Sequence, residues 1–374
     1  MPIYLDFNAT SPIHEEVLEV MLETYKNNFG NPASRTHQHG HQAKQLVDNA
    51  RKTIATVLGI NANEIIFTSG ATESNNLSIL GLADFANKQN KRHIISSEIE
   101  HSSILEPLEQ LSKKGFKIDL VPVGASGRIS VDDVLDRITD ETLLVTIMHA
   151  NNETGIIQPV KEIGDAISGR DIFFHVDASQ TFGKLVDELR EIKYDLLSIT
   201  AHKIYGPQGI GALVLKNKNY KRPPITPLMY GGKQEKGLRP GTLPAALIAG
   251  FGKAAELSLK NYQNWSIVEL DIKHNILNQL SEIDFIINGD KDYCLPNCIN
   301  ISFPGIDSEA LMLSIKEHIS LSNGSACTSS EYKPSHVLQA MGALAENAIR
   351  ISWGPFNFAV DITPIINMVK SFNN

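Results

Sequence analysis

The chain has 374 residues, 42% of them hydrophobic and 20% charged, with a net charge of -8. That length exceeds one usual core and predicts two domains, while the negative balance excludes a general nucleic-acid surface, which needs clustered Lys and Arg. Three cysteines, Cys294, Cys298 and Cys327, are too few for a disulfide framework; no apolar run reaches the roughly 18 residues of a membrane span, and the start lacks a signal-peptide pattern, so a cytoplasmic protein with reduced thiols is expected.

Ser11-Pro12 followed by Glu15 and Glu16 predicts a capped helix start. Val17, Leu18, Met21, Leu22 and Tyr25 then recur at helical spacing. A second helix is expected from Leu46, Val47, Ala50, Ile54, Val57 and Leu58, stopped by Gly59. Short β-rich runs follow at 65–68, 93–97, 143–148, 172–176, 196–200 and 210–215, mostly separated by helical stretches. That alternation predicts a largely parallel sheet covered by helices on both faces, with ligands at the carboxyl ends of its strands. After Pro244 a helical segment covers 245–259, and strands near 285–287, 299–303 and 349–353 predict a smaller α+β unit. The N-terminal arm is expected to pack with that unit. The boundary falls near 255, giving a large domain of residues 15–255 and a small one of 1–14 plus 256–374.

Four motifs carry candidate chemistry. In Thr68-Ser69-Gly70-Ala71-Thr72-Glu73-Ser74 a strand turns through Gly70 into a helix, whose free N–H groups suit a phosphate; the same pattern also fits a plain capped helix. In His175-Val176-Asp177-Ala178-Ser179-Gln180, Asp177 could cap a helix or pair with a protonated ring nitrogen. In Thr200-Ala201-His202-Lys203-Ile204-Tyr205-Gly206-Pro207, Lys203 could be a solvated charge or a Schiff-base amine. Cys327, in Ser325-Ala326-Cys327-Thr328, has Gly, Ser and Thr neighbours and reads as a nucleophile, whereas Cys294 and Cys298 read as small core residues.

In combination, and above all through Ala201-His202-Lys203 with Ser325-Ala326-Cys327-Thr328, the sequence resembles cysteine desulfurases of the NifS/IscS type over nearly its whole length. These belong to the class V aminotransferases, fold-type I enzymes of pyridoxal 5'-phosphate (PLP). The resemblance implies a large domain with a mostly parallel seven-stranded sheet. It implies that Lys203 holds the cofactor, Asp177 pairs with its ring nitrogen and His101 stacks on the ring. Asn152 and Gln180 would lie near the phenolic oxygen, and Ala71, Thr72, Thr200 and His202 at the phosphate. Thr242 would reach the phosphate of the other subunit in a homodimer. Arg350 would bind the substrate carboxylate, alongside Asn152 and a pocket loop with Asn31, Ser34 and His37. No metal is implied.

The implied reaction takes sulfur from L-cysteine as a persulfide on Cys327 and passes it to an acceptor protein, for iron–sulfur assembly or DNA phosphorothioation. Direct nucleic-acid or membrane binding is not expected. Lys233 stands where many relatives have glycine, and Ser102 where lysine is frequent. The stretch from Arg222-Pro223-Pro224 to Pro240-Gly241-Thr242 resembles desulfurases of DNA phosphorothioation systems. Competing readings are a selenocysteine lyase, an aminotransferase, which needs no persulfide cysteine, and a silent adaptor, which would need neither Lys203 nor Cys327.

Overall fold

The computed structural model describes residues 2–218, 221–323, 334–356 and 360–372. Seven strands form the main sheet in the order Ile65–Thr68, Gly211–Leu215, Leu196–Thr200, Phe173–Asp177, Thr142–Met148, His93–Ser97, Lys117–Val121. All neighbours run parallel except Gly211–Leu215, which is antiparallel to both of its own. Thr142–Met148 and Leu196–Thr200 are buried along their full length, as strands covered on both faces must be. Six strands match the β-rich runs. The seventh, Lys117–Val121, is an edge strand whose exposed Lys117 and Leu120 broke the apolar pattern.

A second, three-stranded antiparallel sheet runs Ala348–Ser352, Cys298–Ser302, Ile286–Ile287. The N-terminal arm joins this side of the molecule: Ile3–Tyr4 pairs in parallel with Ile319–Ser320, and Asp6 bridges Ser352. The helix after Pro244 is longer than the pattern suggested, running Ala245–Leu280. Its first half buries Ile248, Phe251 and Ala254 against the main sheet's core, and its second half buries Ile272, Ile276 and Leu280 in a separate core with Ile301 and Trp353. One helix thus serves two cores.

The first helix, Glu15–Asn27, is not capped by Ser11. His14 is the N-cap, its Nδ1 accepting from the Glu16 N–H. Ser11 Oγ donates to the His202 carbonyl at 2.8 Å and accepts from the Tyr205 N–H at 2.9 Å. Its hydroxyl fastens the arm to the loop after strand Leu196–Thr200. Of the apolar positions on this helix, Val17 and Met21 are buried, whereas Leu18, Leu22 and Tyr25 face outward. The second helix, Gln38–Leu58, ends at Gly59 in the left-handed conformation, as read from the sequence.

Candidate active site

Strand Phe173–Asp177 delivers Asp177 at its carboxyl end. Asp177 Oδ2 accepts from Asn75 Nδ2 at 2.8 Å; Oδ1 accepts from the Ser179 N–H at 2.9 Å and from the Ser179 hydroxyl. Asn75 also donates to Ser103 Oγ at 2.8 Å, which in turn lies 2.8 Å from His101 Nδ1. The Ser103 N–H donates to the same nitrogen at 3.1 Å. His101 Nδ1 is therefore an acceptor, and the ring proton sits on Nε2. Burial lowers the His101 pKa, outweighing the opposite pull of Asp177, so the imidazole is neutral. Asn75 and Ser103 were missed in the sequence, although Ser103 follows His101 at the start of helix Ser102–Ser112.

Lys203 follows the buried strand Leu196–Thr200, in a loop closed by bonds from the Ile204 and Gly206 N–H groups to the Ala201 carbonyl. Its Nζ donates to the Asn8 carbonyl and, at 2.7 Å, to the Ala9 carbonyl. Burial lowers its pKa to about 7, with the charges of Arg350 and Lys184 acting in the same direction and those of Asp6 and Asp177 opposing. A lysine so placed is partly neutral at neutral pH rather than a solvated charge, the state that a nucleophilic amine needs.

The turn at Ser69-Gly70 opens helix Ala71–Leu80, with Gly70 at φ 155°. Its closeness to the sheet has a steric cause: a Cβ on Gly211 would lie 2.7 Å from Gly70 Cα and 2.6 Å from the Ile199 carbonyl. Only glycine at 211 lets the turn sit there. Glu73 braces it, accepting from the Ser69 N–H at 2.7 Å and from Arg239 Nε at 3.0 Å. Burial would raise the Glu73 pKa, but these bonds outweigh it and hold the carboxylate low. Ala71, Thr72, Thr200 and His202 face the same space, together with Gln208, which the sequence did not single out.

Arg350, at the middle of strand Ala348–Ser352, is 4% exposed rather than a surface charge. Its Nη1 donates to the Asn152 carbonyl at 2.9 Å and its Nη2 to Asp6 Oδ1 at 2.5 Å. The Arg350 N–H donates to the Ser322 carbonyl at 2.6 Å. Cys327 lies outside the described residues, but the chain on either side of its segment is tied to this site. Ser322 pairs with Arg350, Ser335 Oγ donates to Glu153 Oε2, and His336 Nε2 donates to the Glu100 carbonyl at 3.0 Å. Both glutamates are buried: burial raises Glu153 to about 7 and Glu100 to about 8, above the lowering effect of the bonds they accept. Cys294 and Cys298 are packed against Gly155, with burial pushing Cys298 up to about 12, which suits inert core thiols.

These groups share one cavity of about 660 Å³. Lys203, Asp177, His101, Asn152, Gln180, Thr200, His202, Ala71, Thr72 and Arg350 all line it. Asn31, Ser34, His37 and Thr242 do not: His37 caps helix Gln38–Leu58, Asn31 accepts from the Ala33 N–H, and Thr242 is exposed. Asn8 and Gln180 also line it, and their buried oxygens Asn8 Oδ1 and Gln180 Oε1 have no hydrogen-bond partner among the described residues. A partly neutral lysine, a carboxylate at a strand end and a helix N-terminus across from hydroxyls form a donor set that fits pyridoxal phosphate. Among the described residues, no helix is long and apolar enough to cross a membrane.

The chain matches the aminotransferase class-V family over residues 3–364. It is 44% identical over 378 residues to the cysteine desulfurase IscS of Rickettsia prowazekii, an alignment spanning 99% of this chain and 91% of the relative. Among solved structures, a NifS-like protein superposes with a TM-score of 0.89 at 34% identity, covering 100% of this chain and 98% of that one. DndA from Streptomyces lividans superposes at 0.83 with 42% identity, covering 92% and 98%. With Lys203, Asp177 and the Gly70 turn gathered on a fold-type I sheet, the chain belongs to the class-V aminotransferase family, in its branch of PLP-dependent cysteine desulfurases of the NifS/IscS type.

Proposed function

We propose that the enzyme removes sulfur from L-cysteine, leaving L-alanine, and that the residues of this cavity perform the reaction with Cys327 as sulfur receiver. The observation that carries this reading is the pairing of a partly neutral Lys203 with Asp177 in one cavity. Lys203 would hold PLP, and PLP when bound supplies an electron-poor ring that stabilises negative charge at the substrate Cα. Asp177, fixed by Asn75 and Ser179, would keep a proton on the pyridine nitrogen. His101, neutral with its proton on Nε2, would stack on the ring, and Asn152 and Gln180 would face its oxygen. The Gly70 turn with Thr72, Thr200 and His202 would take the phosphate.

Arg350 would hold the substrate carboxylate, since a guanidinium offers two parallel donors. Lys203, once freed, would move the proton at the substrate Cα. Cys327 thiolate would then attack the substrate sulfur: an S–S bond forms, the C–S bond breaks with its electron pair left on carbon, and protonation there gives alanine. The tethers at Ser322, Ser335 and His336 support delivery of the Cys327 segment to this cavity. Residues 15–255 would act as the large domain, and 1–14 with 256–374 as the small one, in a cytoplasmic homodimer that hands sulfur to an acceptor protein. The acceptor would belong to iron–sulfur assembly or to a DNA-modifying system, the second on the strength of the stretch from Arg222-Pro223-Pro224 to Pro240-Gly241-Thr242.

The test follows alanine and sulfide release from L-cysteine in the presence of a reductant. Cys327→Ala should keep bound PLP and lose sulfide, and Lys203→Ala should lose the lysine-linked absorbance band. Sulfide release by Cys327→Ala at the wild-type rate would instead indicate a lyase that frees the chalcogen directly.

A further inference from the structure

Arg350 is not waiting bare for a ligand. Its Nη2 is already 2.5 Å from Asp6 Oδ1, its Nη1 is taken by the Asn152 carbonyl, and its buried Nε has no partner among the described residues. Asp6 is no mobile surface group. The Ser352 N–H donates to the Leu5 carbonyl at 3.0 Å and the Phe7 N–H to the Ser352 carbonyl at 3.3 Å, so the backbone on both sides of Asp6 is sewn to the strand that carries Arg350. The Asp6 carbonyl accepts from Ala9 and from the Tyr4 hydroxyl. Its side chain keeps 20% exposure on the cavity wall. A buried guanidinium needs a counter-charge, and the arm supplies one from within the chain.

That arrangement has a consequence for any carboxylate entering the cavity. It meets a guanidinium already paired, beside a fixed negative charge that it must displace or share donors with. We propose that Asp6 is a built-in counter-anion of Arg350, a specificity-determining residue that holds the guanidinium in place in the free enzyme and weakens the hold on the substrate carboxylate. The proposal rests on the assignment of Arg350 to that carboxylate. Asp6 and Arg350 also act on Lys203 in opposite senses, so the pair is felt at the reactive amine.

The test uses PLP-loaded enzyme carrying Cys327→Ala, so that ligands bind without turnover, and reads the change in cofactor absorbance on titration with L-cysteine and with cysteamine, which lacks the carboxylate. Asp6→Asn keeps the shape and one acceptor but removes the competing charge. It should tighten L-cysteine roughly tenfold and leave cysteamine unchanged. Asp6→Ser, which is neutral and smaller, should move L-cysteine in the same direction and serves as the readout if Asp6→Asn does not fold. Unchanged or weaker L-cysteine binding in the folded neutral variant, with Arg350→Gln still losing affinity, overturns the proposal and leaves the role of Arg350 standing. Wild-type L-cysteine affinity in Arg350→Gln overturns the role of Arg350 itself.

Discussion

A lysine amine that must attack a carbonyl carbon has to be neutral for part of the time, and in water it almost never is near pH 7. Lys203 reaches that state because burial removes hydration and because Arg350 and Lys184 add positive charge nearby, bringing its pKa to about 7. In cofactor-free protein, the rate at which Lys203 captures added PLP should therefore rise as pH increases through about 7 and level off above it. Arg350→Gln removes a lowering charge and leaves Asp6 unopposed, so both effects raise the Lys203 pKa and the profile should move to higher pH. Stopped-flow absorbance across pH 6–9 measures both curves; coincident profiles would refute the electrostatic account. At this scale Asp177 and Lys203 were legible because one ends a buried strand and the other follows one, whereas His101 came only from the family resemblance. Asp6, Asn75 and Ser103 were not, because a short polar side chain gives no pattern until the fold sets its partner beside it.

Elements meet at the cofactor site through close backbone approach. Strand Gly211–Leu215 lies between Ile65–Thr68 and Leu196–Thr200, antiparallel to both, and its first residue backs directly onto the Gly70 turn. A methyl group at 211 would lie within 2.6 Å of the Ile199 carbonyl and 2.8 Å of Gly70 carbonyl carbon, contacts that only a backbone shift can relieve. Gly211→Ala should destabilise the fold by about 1–3 kcal/mol and displace the N–H groups of helix Ala71–Leu80 from the position proposed for the phosphate. PLP affinity, read by equilibrium dialysis, should fall by more than the stability loss alone explains, while Gly115→Ala, at a positive-φ turn where a Cβ meets no neighbour, serves as the control for backbone strain. Equal PLP affinities in the two variants would refute a role for this packing. The glycine at 70 could be read from the sequence as a turn; the need for glycine at 211 could not, since it depends on a partner 141 positions away across the sheet. Ser11 fails as a helix cap for a related reason. Its hydroxyl has better-placed partners on the lysine loop, so tertiary contacts override a local preference.

At the scale of the molecule, apolar side chains remain uncovered where local patterning expected a core. Leu18, Leu22 and Tyr25 lie on the outward face of the first helix, Phe29 is 68% exposed and Tyr230 is 85% exposed. In the proposed homodimer a second copy of the chain would cover such groups, and it is the occupant that would also give Thr242 a role. Thr242 is exposed and outside its own chain's cavity, so a phosphate contact from it would have to be made in a partner subunit. That geometry makes a mixing experiment decisive. Lys203→Ala destroys the site of its own subunit, whereas Thr242→Asp, by placing a carboxylate against the phosphate, would damage the site of its neighbour. Each variant alone should be inactive. After subunits are mixed and exchanged, half of the dimers are mixed and each has one intact site, so activity should recover to about a quarter of wild type. No recovery, with exchange verified by differently tagged chains, would place Thr242 at its own subunit's site. A monomer in sedimentation velocity would remove the dimer altogether and leave the outward face of the first helix to another protein.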